Sequence, residues 1–116
     1  YAFADCDSIT SAIIGNSVTS IGSEAFYGCS SLTSVTIPDS ATEIGRMAFD
    51  GCSSLTSVYC KPTTPPVISM TYSYENVFDD NASGRKIYVP MGSVSKYKSA
   101  KGWSAYASDI FGYDFQ

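Results

Sequence analysis

The stretch "AFYGCSSLTSVTIPDSATEIGRM", Ala25 to Met47, begins again at once as "AFDGCSSLTSVYC", Ala48 to Cys60. Read backwards, "AFADCDSITSAIIGNSVTSIGSE", Ala2 to Glu24, is the same pattern with substitutions. Phe3, Phe26 and Phe49 share one position, Cys6, Cys29 and Cys52 a second, and Ile9, Leu32 and Leu55 a third. Ala12, Val35 and Val58 follow, then Ile14, Ile37 and Cys60, then Ile21 with Ile44 and Gly22 with Gly45. A period of this size marks stacked repeats, each too small to bury an apolar face alone. The apolar columns are unevenly spaced, so neither a helical nor a two-residue period runs through a whole repeat. The chain turns inward several times per lap.

One piece of each lap does alternate. Leu32-x-x-Val35-x-Ile37 puts β-branched residues on one face and ends at Pro38, which reads as a short strand. Proline has no N–H to give a neighbour, so the strand stops there. Successive laps then stack these strands into a parallel sheet. Val18, Ile21 and Ala25-Phe26 bring the chain back to the interior on the opposite side, and Gly22 and Gly45 are expected to bend it through positive φ.

The expected fold is a leucine-rich repeat solenoid: a right-handed coil of about four 23-residue laps with short parallel strands and a C-terminal helical cap. Residues 1–60 form the regular repeats. Residues 61–90 hold an irregular lap with a Pro-rich insertion, "KPTTPPVISMTYSYE". There Phe78 resumes the Phe column, Asn81 the Cys column and Ile87 the Val35 column, while Gly84 replaces the leucine. In residues 91–116, Val94, Tyr97, Ala100, Trp103, Tyr106 and Ile110 recur at three- and four-residue steps, as in an amphipathic helical segment that Gly102 breaks or bends. A repeat array needs such a terminal piece. The three parts make one continuous domain.

Composition removes several classes of function. The 116 residues carry a net charge of −4, the wrong sign for neutralising phosphates, so no nucleic-acid partner is expected. No apolar run reaches the roughly 20 residues of a membrane span. The chain opens inside a repeat, without Met or signal peptide, and reads as a mature product or a piece of something longer. It contains no His, which removes Ser-His-Asp and Cys-His catalysis. The acidic residues are scattered, only Asp79 and Asp80 being adjacent. A solvated loop explains that pair better than catalysis, although with Asn81 it offers oxygen ligands for a weak calcium site. No cofactor and no enzymatic activity are expected.

The four cysteines include no Cys-x-x-Cys, so they lack zinc spacing. Three equivalent cysteines cannot all pair. A buried ladder of free thiols, packing as small hydrophobes, is the reading preferred to disulfides. Asn81-Ala82-Ser83 fits the eukaryotic glycosylation sequon, a pattern short enough to arise by chance.

The motif Cys-x-x-Leu-x-x-Val-x-Ile-Pro-x-x-x-x-x-Ile-Gly-x-x-Ala-Phe, written by Cys29 to Phe49, resembles the BspA-like, or Treponema-type, leucine-rich repeats of bacterial surface proteins. The resemblance covers residues 2–60 and, less closely, 76–90. The tail resembles the endings of such proteins from Bacteroides-like bacteria. It implies an extracellular or surface-attached chain that binds host or microbial macromolecules. Asp7-Ser8-Ile9 and Asp39-Ser40-Ala41 resemble the short O-glycosylation motif of those bacteria.

On the outer strand face the far end carries Thr10, Ser11 and Ile13. Ser34, Thr36 and Ser57 are ordinary polar dressing, whereas Tyr59, Tyr88, Arg85 and Lys86 gather toward the C-terminal end. Tyr and Arg are common interface anchors, so these seven residues, with Tyr72 and Tyr74 of the insertion overhanging them, form the candidate ligand face. Two functions stay open. One is an adhesion or binding module for a protein or glycan; the other is a structural spacer with no ligand. A monomer is expected, with end-to-end contacts at the uncapped N-terminus as the exception.

Overall fold

Each repeat supplies two short extended pieces, because β-branched residues alternate with Ser and Thr for only a few positions before a turn intervenes. The computed structural model describes residues 3–68 and 77–115. In chain order its elements are β1 (Ser11–Ile13), β2 (Ser20–Ile21), β3 (Ser34–Ile37), β4 (Glu43–Ile44), β5 (Ser57–Cys60), β6 (Val67–Ile68) and β7 (Lys86–Pro90). A 3-10 turn at Met91–Ser93 leads into α1 (Val94–Ser99), and a second 3-10 segment, Ser104–Asp109, leads into β8 (Ile110–Tyr113). No described helix is long and apolar enough to cross a membrane.

The strands form two parallel sheets, β1-β3-β5-β7-β8 and β2-β4-β6. Pairing follows the sequence period: Ala12 faces Val35, Val35 faces Val58 and Val58 faces Ile87. In the second sheet Ile21, Ile44 and Ile68 align, so the repeat register continues into the Pro-rich stretch. Leu32, Leu55, Val35, Val58, Ile37 and Cys60 are fully buried. This is the family of parallel-strand repeat folds that the columns require.

The phenylalanines stack as one column. Ring centroids lie 5.3 Å apart from Phe3 to Phe26, 5.3 Å from Phe26 to Phe49 and 5.6 Å from Phe49 to Phe78, all nearly parallel. Phe3 is 46% exposed. Two residues beyond each phenylalanine the backbone enters the left-handed region, at Asp5, Gly28, Gly51 and Asp80, so the inner repeats place glycine there and avoid a Cβ penalty. Gly22 and Gly45, expected at positive φ, are not left-handed. Glycine at 45 has a different cause: a Cβ there would lie 2.6 Å from the Gly22 carbonyl carbon and against the Ser23 nitrogen. Close approach of adjacent laps requires it.

The cysteine column does more than fill space. Cys29 Sγ donates to the Phe3 carbonyl (2.9 Å) and Cys52 Sγ to the Phe26 carbonyl (3.1 Å). Asn81 continues the pattern, its Nδ2 donating to the Phe49 carbonyl at 2.9 Å. Each side chain thereby satisfies a carbonyl of the preceding repeat that is at least partly buried, which explains why a polar amide replaces a thiol in the last lap. Burial pushes the Cys52 and Cys60 thiols up to about 12 and raises Cys29 as well. At pH 8 the folded chain should therefore react with a thiol reagent at only one site, half-buried Cys6, and at all four after denaturation, counted by mass. Rapid labelling of Cys29, Cys52 or Cys60 in the native chain would refute the ladder. The sign of the linkage is alkaline: an unfolded thiol ionises from its ordinary value near 9, so stability falls as pH rises from there toward 12.

The C-terminal segment is interrupted at Gly102, which takes a positive φ between α1 and the second 3-10 segment, and its last part departs from the helical reading. Val94 and Tyr97 follow helical spacing within α1, but helical structure ends at Asp109, and Ile110 joins a strand. β8 pairs with β7, Ile87 opposite Ile110 and Tyr88 opposite Phe111. Sheet pairing prevails because Ile110 is one repeat period beyond Ile87, so its apolar side chain falls on the buried column.

Candidate ligand-binding face

The first sheet points alternate residues outward, and parallel register lines them up across laps. Ile13, Thr36, Tyr59, Tyr88 and Phe111 form one outward column. Ser11, Ser34, Ser57 and Lys86 form the column beside it. Tyr59 and Tyr88 stack at 5.1 Å and 16°. Tyr113, opposite Pro90, packs edge-on against Tyr59 at 5.4 Å and lies 5.5 Å from Tyr88. Phe115 approaches Tyr59 edge-on at 6.5 Å and Tyr113 at 4.8 Å. Lys86 is exposed, its ammonium 6.0 Å from the Phe111 ring centre. The result is a raised aromatic block at the C-terminal end, bordered by the low Ser/Thr surface of Ser34, Thr36 and Ser57.

Arg85 does not belong to this face. The sequence reading turns it outward, but its side chain is only 9% exposed. Gly84 supplies no side chain where Leu32 and Leu55 stand, and the neighbouring guanidinium turns inward. It donates to the Phe78 carbonyl (2.6 Å) and to Asn81 Oδ1 (3.0 Å), and pairs with Asp109 Oδ2 at 2.7 Å. Its carbon lies 4.9 Å from the Tyr106 ring centre. Arg85 joins the last lap to the C-terminal segment and cannot anchor a ligand on the sheet. Tyr72 and Tyr74 lie outside the described residues.

The polar groups near Asp79 are also committed internally. Tyr106 Oη donates to Asp79 Oδ1 at 3.0 Å, and both ends of the Asn81 amide are hydrogen-bonded. That leaves the Asn81 nitrogen engaged inside the fold rather than presented as a glycan acceptor. Among the described residues no group of three or more Cys, Asp or Glu gathers to hold a metal ion.

Residues missed from sequence are Lys61, Phe111, Tyr113 and Phe115. A signal for two of them was present, since Phe111 and Tyr113 stand one 23-residue period beyond Tyr88 and Pro90. Helical spacing upstream obscured it. Lys61 and Phe115 come to the face only through the path of the chain after β5 and β8.

A family model described as BspA type Leucine rich repeat region matches residues 1–100, in 6 copies. No curated protein matches the chain.

Proposed function

The chain belongs to the BspA-type leucine-rich repeat family, and on that premise we propose that it is a non-catalytic binding module presenting its sheet face to a host or microbial macromolecule at the bacterial surface or outside the cell. In this reading the repeats wind as a right-handed solenoid of about four laps. Residues 91–109 close its end, and the segments 1–60, 61–90 and 91–116 act as one domain. One sheet running from β1 to β8 supports that unity.

The observation that carries the function is the aromatic block of Tyr59, Tyr88 and Tyr113, held together by mutual stacking on a rigid sheet. Tyrosine combines a large apolar ring with a polar tip and loses little freedom on binding. A glycan array and a panel of extracellular-matrix proteins test the reading. For any ligand found, Tyr59→Ala and Tyr88→Ala should each weaken binding by about 2 kcal/mol or more, roughly 30-fold. Thr10→Ala, at the far end, should change little. Ligands that bind both tyrosine variants normally would place the site elsewhere.

A further inference from the structure

Beside the aromatic block the sheet surface drops to a slot lined by Ile13, Thr36, Tyr59, Lys61, Tyr113 and Phe115. Tyr88 covers one face of the Tyr59 ring. One strand back stands Thr36, too small to fill the opposite side, so a ring-sized step remains at the foot of Tyr59. The slot opens into a furrow that shares Lys61, Tyr113 and Phe115 and adds Asp39, Thr63 and Asp114. Aromatic faces and hydrogen-bonding side chains of both charge signs thus line one continuous path. Lys61, Asp39 and Asp114 make no ion pair among the described residues.

We propose that this path binds a neutral, hydroxyl-rich oligosaccharide, one sugar ring against Tyr59 and Phe115 and the next across Lys61, Asp39 and Asp114. This deepens the binding-module reading and rests on it. The C–H face of a pyranose suits an aromatic wall, and adjacent ring hydroxyls suit an ammonium and carboxylates that can donate and accept. An anionic ligand finds no complementarity, because two aspartates and one lysine line the same furrow. An extended peptide fits less well. The parallel ladders use the backbone N–H and C=O groups of the inner strands, so a peptide laid on this face would have to leave its own backbone to side chains or water.

The test is calorimetric titration of the full chain with cellotetraose, maltotetraose and mannotetraose, with tetragalacturonate as the anionic control and tetraglucosamine as the cationic one. At least one neutral tetrasaccharide should bind with a Kd of about 1 mM or tighter. Its affinity should hold between about 50 and 500 mM salt, since no net charge is neutralised. Phe115→Ala, at a half-buried ring, and Asp114→Asn, at an exposed carboxylate, should each weaken it about 10-fold, the second with an unchanged melting curve. No binding of any neutral sugar, an unaffected Phe115→Ala variant, or preference for a charged control that salt abolishes would each overturn the assignment. A protein ligand lost in Tyr59→Ala, with no sugar bound, would overturn the sugar and leave the binding face standing.

Discussion

Phe49→Ala is expected to destabilise the chain by about 3–5 kcal/mol, the range for emptying a buried aromatic site. Phe49 is fully buried and is flanked on both sides by rings, Phe26 at 5.3 Å and Phe78 at 5.6 Å. Neither neighbour can move in to close the gap, because each is fixed by its own lap. Backbone bonds hold the position from both directions: Phe26 N–H donates to the Ala48 carbonyl, and Phe49 N–H to the Val77 carbonyl. Phe3→Ala, at the exposed end of the same column, should cost far less. Chemical denaturation of the two variants measures the difference. Equal midpoints would mean that the column does not carry the junctions between laps.

Removing residues 91–116 should have an even larger effect: a product that aggregates or fails to accumulate in soluble form. Trp103 and Tyr97 are fully buried, and Trp103 and Tyr106 lie 5.7 and 5.5 Å from Phe78. Their polar ends are satisfied by the chain they cover. Tyr97 Oη donates to the Pro62 carbonyl at 2.6 Å, and Trp103 Nε1 to the Pro66 carbonyl at 2.9 Å. The deletion would bare Phe78 and Ile68, orphan those carbonyls and leave β7 as an unpaired edge, all of which invite association. Arg85 would lose Asp109 and remain buried with an unbalanced charge, a further penalty. Light scattering on the 1–90 chain decides the matter. A soluble monomer with native circular dichroism would show that the terminal segment is dispensable.

The regular repeats were legible because one side-chain column maps to one position in every lap. Phe3, Phe26 and Phe49 recur at constant spacing, and the parallel register of Val35 with Val58 follows from it. What escaped was set by long-range packing. Arg85 occupies the position just before the strand, which is polar and exposed in other laps as Thr33 and Thr56, and only the missing side chain at Gly84 and the arrival of Asp109 and Tyr106 draw it inside. β8 was hidden because three- and four-residue spacing up to Tyr106 competes with the 23-residue spacing of Ile87 and Ile110. Of the candidate face, Tyr59, Tyr88 and Lys86 could be placed from the strand alternation alone. Phe115 could not, since its position depends on how the chain leaves β8.

Burial deepens from the N-terminal lap inward: Cys6, Ile9, Ala12 and Ile14 are partly covered, whereas Cys29, Leu32, Val35 and Ile37 are completely so. In a stack whose cohesion comes from neighbours, opening free energies should rise along the same direction. Amide exchange should be fast at Ser11–Ile13 and slowest at Ser57–Cys60 and Lys86–Val89. The aromatic block therefore sits on the part of the sheet that fluctuates least. A partner docking there meets rings already held in place and forfeits little conformational entropy.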